Sequence, residues 1–98
     1  MENFVYYNDL FDIYNQLLTD NERSTFQEYY QEDLSLSEIA EDKDISRSAV
    51  QKTIKGVQEK LDKYESILKI YEKNTKICNM IDRITDEKIK SELEDIIK

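Results

Sequence analysis

The chain has no histidine, no proline and no tryptophan, one glycine (Gly56) and one cysteine (Cys78). Each scarcity removes a class of explanation. Without histidine, the side chain that titrates nearest neutrality is missing, and general base chemistry would fall to carboxylates. A lone cysteine forms no intrachain disulfide, and a zinc site lacks its usual soft ligands. There is no glycine-rich loop to cradle a phosphate and no Ser/His/Asp set, so no enzyme, cofactor or metal is expected. No apolar run reaches the roughly 18 residues of a membrane span. Met1 to Leu10 carries Glu2 and Asp9 but no basic residue, which argues against a secretory leader and for the cytoplasm.

What is present is charge and helix-forming residues. The 98 residues suffice for one small core; 37% are charged and the formal net charge is −8. With so few breakers and so many Glu, Lys, Leu and Ile, an all-α fold is expected. The charge is unevenly spread. Residues 1–45 hold twelve acidic side chains against Arg23 and Lys43, whereas residues 46–63 hold Arg47, Lys52, Lys55, Lys60 and Lys63 against Glu59 and Asp62. An acidic chain repels DNA at long range, but a local basic face can still bind it in a salt-sensitive way. The same lysines could simply solubilise a helix.

Periodicity places the helices. Tyr7, Leu10, Phe11, Tyr14, Leu17 and Leu18 recur at three-and-four spacing, giving a first helix from about Asn3 to Leu18 with these residues on one buried face. Thr19-Asp20-Asn21-Glu22 and Ser35-Leu36-Ser37-Glu38 are capping boxes. The first opens a helix to Tyr30 or Gln31 that buries Phe26, Tyr29 and Tyr30. The second opens a helix of two turns with Ile39 and Ala40 inward. Asp44 stands where the following turn needs a left-handed residue, and Ile45 is expected to return to the core. Ser46 caps the next helix, whose apolar residues Val50, Ile54, Val57, Leu61, Tyr64, Leu68 and Tyr71 alternate gaps of four and three. Unbroken from Ser46 to Ile84, that helix would measure roughly 58 Å. It must break, near Tyr64 to Ser66 or at Asn74-Thr75, or lay its far end on a partner. Thr85-Asp86 begins a last helix with Ile89, Leu93, Ile96 and Ile97 on one face. Residues 66–98 thus form a helical tail, expected either to make a homodimer or to pack on the first helix.

A short helix, a tight turn and a helix with a basic outer face make a helix-turn-helix of residues 1–65. With Val50, Ile54 and Val57 inward, Arg47, Ser48, Gln51, Lys52 and Lys55 point outward. Arg47 can bond guanine bidentately and Gln51 adenine, while Lys52 and Lys55 suit phosphates. Ser35 and Ser46 would bring helix N-termini, with their free amides, towards phosphates.

The segment Leu10 to Leu68 also carries Leu10-Phe11-Asp12, Leu17-Leu18-Thr19, Tyr29-Tyr30, the block Glu32 to Glu41, and Ile45-Ser46-Arg47-Ser48-Ala49-Val50. In these strings it resembles the YlxM family of bacterial proteins, over about 60% of the chain. The resemblance implies a fold like region 4 of sigma factors, which reads promoter DNA. Because genes of that family lie beside those of the signal recognition particle, it also implies a regulatory role in that pathway, through DNA or as an adaptor touching the particle's protein or its receptor. Three positions depart from the family pattern: Lys43 replaces an apolar residue, Asp44 the turn glycine, and Gly56 a basic residue. Gly56 in mid-helix costs about 1 kcal/mol against alanine and removes a phosphate contact, which weakens the DNA reading, or else it marks a bend or a close helix contact.

Overall fold

The computed structural model describes residues 3–97, and among them every element is helical. The helices are α1 (Phe4–Tyr14), α2 (Asp20–Tyr30), α3 (Leu36–Lys43), α4 (Arg47–Leu68), α5 (Ile70–Ile81) and α6 (Glu87–Ile97), with one tight turn at Asn15–Leu17 after α1. Among the described residues no helix is long and apolar enough to cross a membrane.

Local chemistry starts each of the first four helices. The Asn3 side chain accepts from the Tyr6 amide at 3.0 Å. Thr19 and Glu22 exchange bonds of 3.2 and 2.9 Å, and Ser35 and Glu38 bonds of 3.1 and 3.0 Å, so both capping boxes are closed. The Ser46 hydroxyl accepts from the Ala49 amide at 3.1 Å. Between α3 and α4 the chain closes a Schellman motif: Asp44 takes a left-handed conformation (φ 55°), and the Ile45 amide bonds the Ala40 carbonyl at 3.0 Å.

The core lies where α4 crosses α1, α2 and α3. Val50, Ile54, Val57 and Leu61 fall within an arc of about 60° on α4 at 100° per residue, and all are buried. Leu10, Phe11 and Tyr14 from α1, Leu18 from the connection after it, Phe26 and Tyr30 from α2, and Ile39 and Ala40 from α3 close around them. Phe26 stacks on Phe11 and Tyr30, with ring centroids 5.0 and 4.2 Å apart. Burying one such aliphatic side chain contributes about 1.5–3 kcal/mol.

Four sequence expectations need correction. The first helix stops at Tyr14 rather than Leu18. Arg23 reaches back to the Asn15 and Leu18 carbonyls (3.1 and 3.0 Å) and holds the chain in the tighter turn, whose larger rotation per residue throws Leu17 outward to 53% exposure. Ile45 is 43% exposed: the Schellman closure holds it at the tip of the turn. Gly56 makes no close contact, for a Cβ there would meet nothing within 4 Å, and α4 continues through it.

The long helix does break, but at Lys69 instead of the expected places. Lys69 is left-handed (φ 54°, ψ 31°), ending α4 and starting α5 in one residue. That conformation costs a non-glycine residue roughly 1–2 kcal/mol. What offsets it is a set of long-range caps. Tyr14 Oη donates to Glu65 Oε1 (2.7 Å) and accepts from the Ile70 amide (3.2 Å), while Glu65 Oε1 and Oε2 accept from the Tyr71 and Glu72 amides (3.0 and 3.1 Å). The bend returns α5 to α1, where Tyr71 meets Tyr6 edge to face at 5.4 Å. After α5, the Asp86 carboxylate accepts from the Lys88 and Ile89 amides to start α6, which packs back on α5 and leaves Ile96 76% exposed.

Two outcomes test this packing. Gly56→Ala should stabilise the fold by about 1 kcal/mol in urea unfolding, because helix propensity rises and no neighbour is displaced. Burial and the bond to Glu65 push the Tyr14 phenol up to about 12. A raised folded value means stability complete below the unfolded value of 10.0 and lost as pH climbs towards 12. Alkaline unfolding should therefore cost the unaltered chain more stability over that range than it costs Tyr14→Phe.

Candidate nucleic-acid interface

α4 presents its polar side as two rows. Arg47, Gln51 and Lys55 descend one row at four-residue spacing, and Ser48, Lys52 and Gly56 the adjacent one. Arg47, Ser48, Gln51, Lys52 and Lys55 are all exposed, and neither α5 nor α6 covers them. Among the described residues Arg47, Lys52, Lys55 and Lys63 make no ion pair. The stripe of Val50, Ile54, Val57 and Leu61 behind the rows fixes the helix from three sides, so the rows are held on a rigid element.

Not every cation of the basic stretch belongs to this surface. Lys60 donates to Glu22 Oε2 at 2.6 Å and ties α4 to the start of α2. Burial pulls the Glu22 carboxyl up, but Lys60 and the Thr19 amide and hydroxyl together hold it below its usual range; the same bond raises Lys60. Lys43, just before that stretch, donates to Ser24 Oγ at 2.9 Å and acts as a pin between α3 and α2.

The two helix starts differ as well. At α3 the Glu38 carboxylate already sits on the Ser35 amide and hydroxyl, which hold its carboxyl below the usual carboxylate range. At α4 the Ser46 hydroxyl caps the Ala49 amide and lies 3.2 Å from Ser48 Oγ, and the first turn carries no acidic residue. The positive end of the α4 dipole is therefore open to an outside anion, whereas that of α3 meets its own carboxylate.

Periodicity alone missed the wall beside the ridge. Tyr29 from α2 and Leu36 from α3 join Gln51, Ile54, Lys55 and Gln58 around a groove of about 240 Å³. Gln58 donates to the Tyr30 hydroxyl, which orients it along that groove. The pairing of Tyr29 with Lys55 spans two helices that only the folded core brings together. Tyr29, expected in the core, is only half-buried and lines this groove instead, and Leu36 signalled it only as an apolar residue at the first position of a capped helix.

A short bracing helix, a left-handed turn and a second helix with an exposed polar face define a helix-turn-helix protein. The family model described as "Putative helix-turn-helix protein, YlxM / p13 like" matches residues 1–98. A UPF0122 protein of Ureaplasma parvum is 45% identical over 87 residues, covering 89% of this chain and 88% of that protein. UPF0122 proteins of Halalkalibacterium halodurans (41% over 88 residues, 87% of this chain and 81% of the relative) and Listeria monocytogenes (37% over 98 residues, 91% and 89%) are similar along comparable lengths. The chain belongs to this YlxM/p13-like family, UPF0122.

The turn between α3 and α4 sets the angle of the ridge, and its left-handed residue is testable. Asp44→Val should cost roughly 1–2 kcal/mol in chemical unfolding, because a branched side chain tolerates that conformation poorly. Asp44→Gly, which removes the strain of a left-handed side-chain-bearing residue, should raise the unfolding midpoint.

Proposed function

We propose that this chain is a cytoplasmic DNA-binding regulatory protein without catalytic activity, and that α4 is its recognition helix. α4 would lie in the major groove with α3 braced across the backbone. Arg47 and Gln51 read base edges, Arg47 suited to guanine and Gln51 to adenine. Ser48, Lys52 and Lys55 hold the flanking phosphates. Ser46 contributes the open N-terminus of α4 to a phosphate, and Ser35 a weaker contact from the already occupied end of α3. A homodimer formed through residues 66–98 would present two ridges to two half-sites.

The observation that carries this reading is the exposed set Arg47, Lys52 and Lys55, unpaired among the described residues while Lys60 and Lys43 are bonded elsewhere. In a chain of net charge −8, leaving these cations uncompensated on one rigid face suits an anionic partner.

One feature favours a second reading, an adaptor that touches the signal recognition particle's protein or its receptor. Ile77, Met80, Ile89 and Ile96 are exposed on α5 and α6, an apolar surface that suits a partner helix, and the acidic front half of the chain suits a basic protein. A pull-down that recovers neither of those two proteins above background would discard it.

The DNA reading is tested by selection from random duplexes at low salt, followed by titration at two salt concentrations. Lys52→Ala and Lys55→Ala should each lower the slope of log affinity against log salt by about 1. Arg47→Ala should weaken the selected site by roughly 1–3 kcal/mol and relax one base position. Lys60→Ala should leave the slope unchanged, since that side chain is committed to Glu22. A selection that enriches no sequence would reject the proposal.

A further inference from the structure

We propose that Lys69 is a hinge at which α5 and α6 are exchanged between two copies of this chain. The inference rests on the homodimer named above and specifies how it is built.

Three observations meet at this residue. First, the apolar rhythm ignores the bend. Leu61, Tyr64, Leu68, Tyr71, Thr75 and Cys78 keep alternating gaps of three and four across Lys69. The bent form uses only part of this rhythm: Tyr64 and Tyr71 pack on the core, while Leu68, Thr75 and Cys78 are left exposed. A continuous helix puts the whole seam along one side. Straightened, Arg47 to Ile81 would run roughly 52 Å.

Second, the bend needs substitutes for bonds that a straight helix makes by itself. The Ile70, Tyr71 and Glu72 amides are held by the Tyr14 hydroxyl and the two Glu65 oxygens. In a straight helix those amides return to the carbonyls of residues 66, 67 and 68, and the left-handed residue disappears. The two forms therefore exchange three side-chain caps and one strained residue for three backbone bonds. A short strained connection of this kind favours exchange of the element beyond it.

Third, the apolar residues on either side of the hinge are uncovered: Ile67 is 66% exposed, and Leu68 and Ile70 are exposed too. The occupant of the surface that straightening bares is already defined. Once α5 leaves its own α1, the side chains it covered, Tyr6 and Ile13 among them, fit the α5 of a second copy through the same contacts. Two straightened chains then cross at their hinges, where Ile67, Leu68 and Ile70 of each cover those of the other.

The test uses the full chain. Lys69→Gly removes the strain of the bend and should weaken dimerisation about tenfold in sedimentation equilibrium. Glu65→Ala removes the caps on the Tyr71 and Glu72 amides, which only the bend needs, along with the Tyr14 acceptor that both forms use, and should strengthen dimerisation by a comparable factor. The connection itself is read by complementary thiols. Asp12 on α1 and Cys78 on α5 line one shallow groove. Asp12→Cys carrying also Cys78→Ser is refolded together with the unaltered chain, and a short bis-maleimide is added. Cross-linked pairs of the two chains, confined to the dimer fraction, are expected. A dimer without that cross-link would overturn the exchange while leaving the homodimer standing. Monomer alone at high micromolar concentration would overturn both, and unchanged association of Lys69→Gly and Glu65→Ala would overturn the hinge.

Discussion

The one-sided burial of α4 is the constraint on which the rest depends. Val50, Ile54, Val57 and Leu61 place four buried side chains along 22 residues, and α1, α2 and α3 each pack on that stripe. At about 1.5–3 kcal/mol for each buried aliphatic side chain, these residues outweigh any single cap or ion pair in the molecule. The stripe also settles what is left outside. A helix buried along so narrow an arc must present its remaining faces to solvent, and the residues there are Arg47, Ser48, Gln51, Lys52 and Lys55. Core and ridge are thus two consequences of one pattern.

Electrostatics then divides the cations by task. Lys60 and Lys43 carry the same charge as Lys52 and Lys55, yet they act inside the fold, holding α4 and α3 to α2. Carboxylates are sorted in the same way. Glu22 and Glu38 close capping boxes, Asp62 accepts from the Tyr7 hydroxyl at 2.9 Å, and Glu65 caps α5. Helix starts in the front half thus hold their own carboxylates, Glu22 at α2 and Glu38 at α3, while the start of α4 is left without an acidic residue. Net charge describes the solubility of such a chain better than its binding.

What could be read in the sequence was the chemistry that acts over three or four residues. The capping boxes at Thr19 and Ser35, the Ser46 cap, the left-handed Asp44 and the α4 stripe from Val50 to Leu61 are all local and appear where the spacing puts them; Leu68, further along the same rhythm, is exposed. What escaped was set across the fold. Lys69 looks like any helical lysine; its conformation follows from Tyr14 and Glu65, which are 51 residues apart in the chain. Lys60 finds Glu22 across 38 residues, so counting charges in a window overstated the free ridge. Leu17 and Ile45 fit the helical rhythm but stand in tight turns, where rotation per residue differs. The Tyr29–Leu36 wall of the groove joins two helices whose crossing no periodicity describes.

The central claim is that α4 is a rigid helix whose cationic rows receive nucleic acid. The most direct measurement is an amide NMR titration of the full chain with duplex DNA at low and at raised salt. The expected result is a set of shifts concentrated between Ser46 and Lys55 that weakens steeply as salt rises. Shifts confined to α5 and α6, or none at low salt with the helices intact, would contradict it.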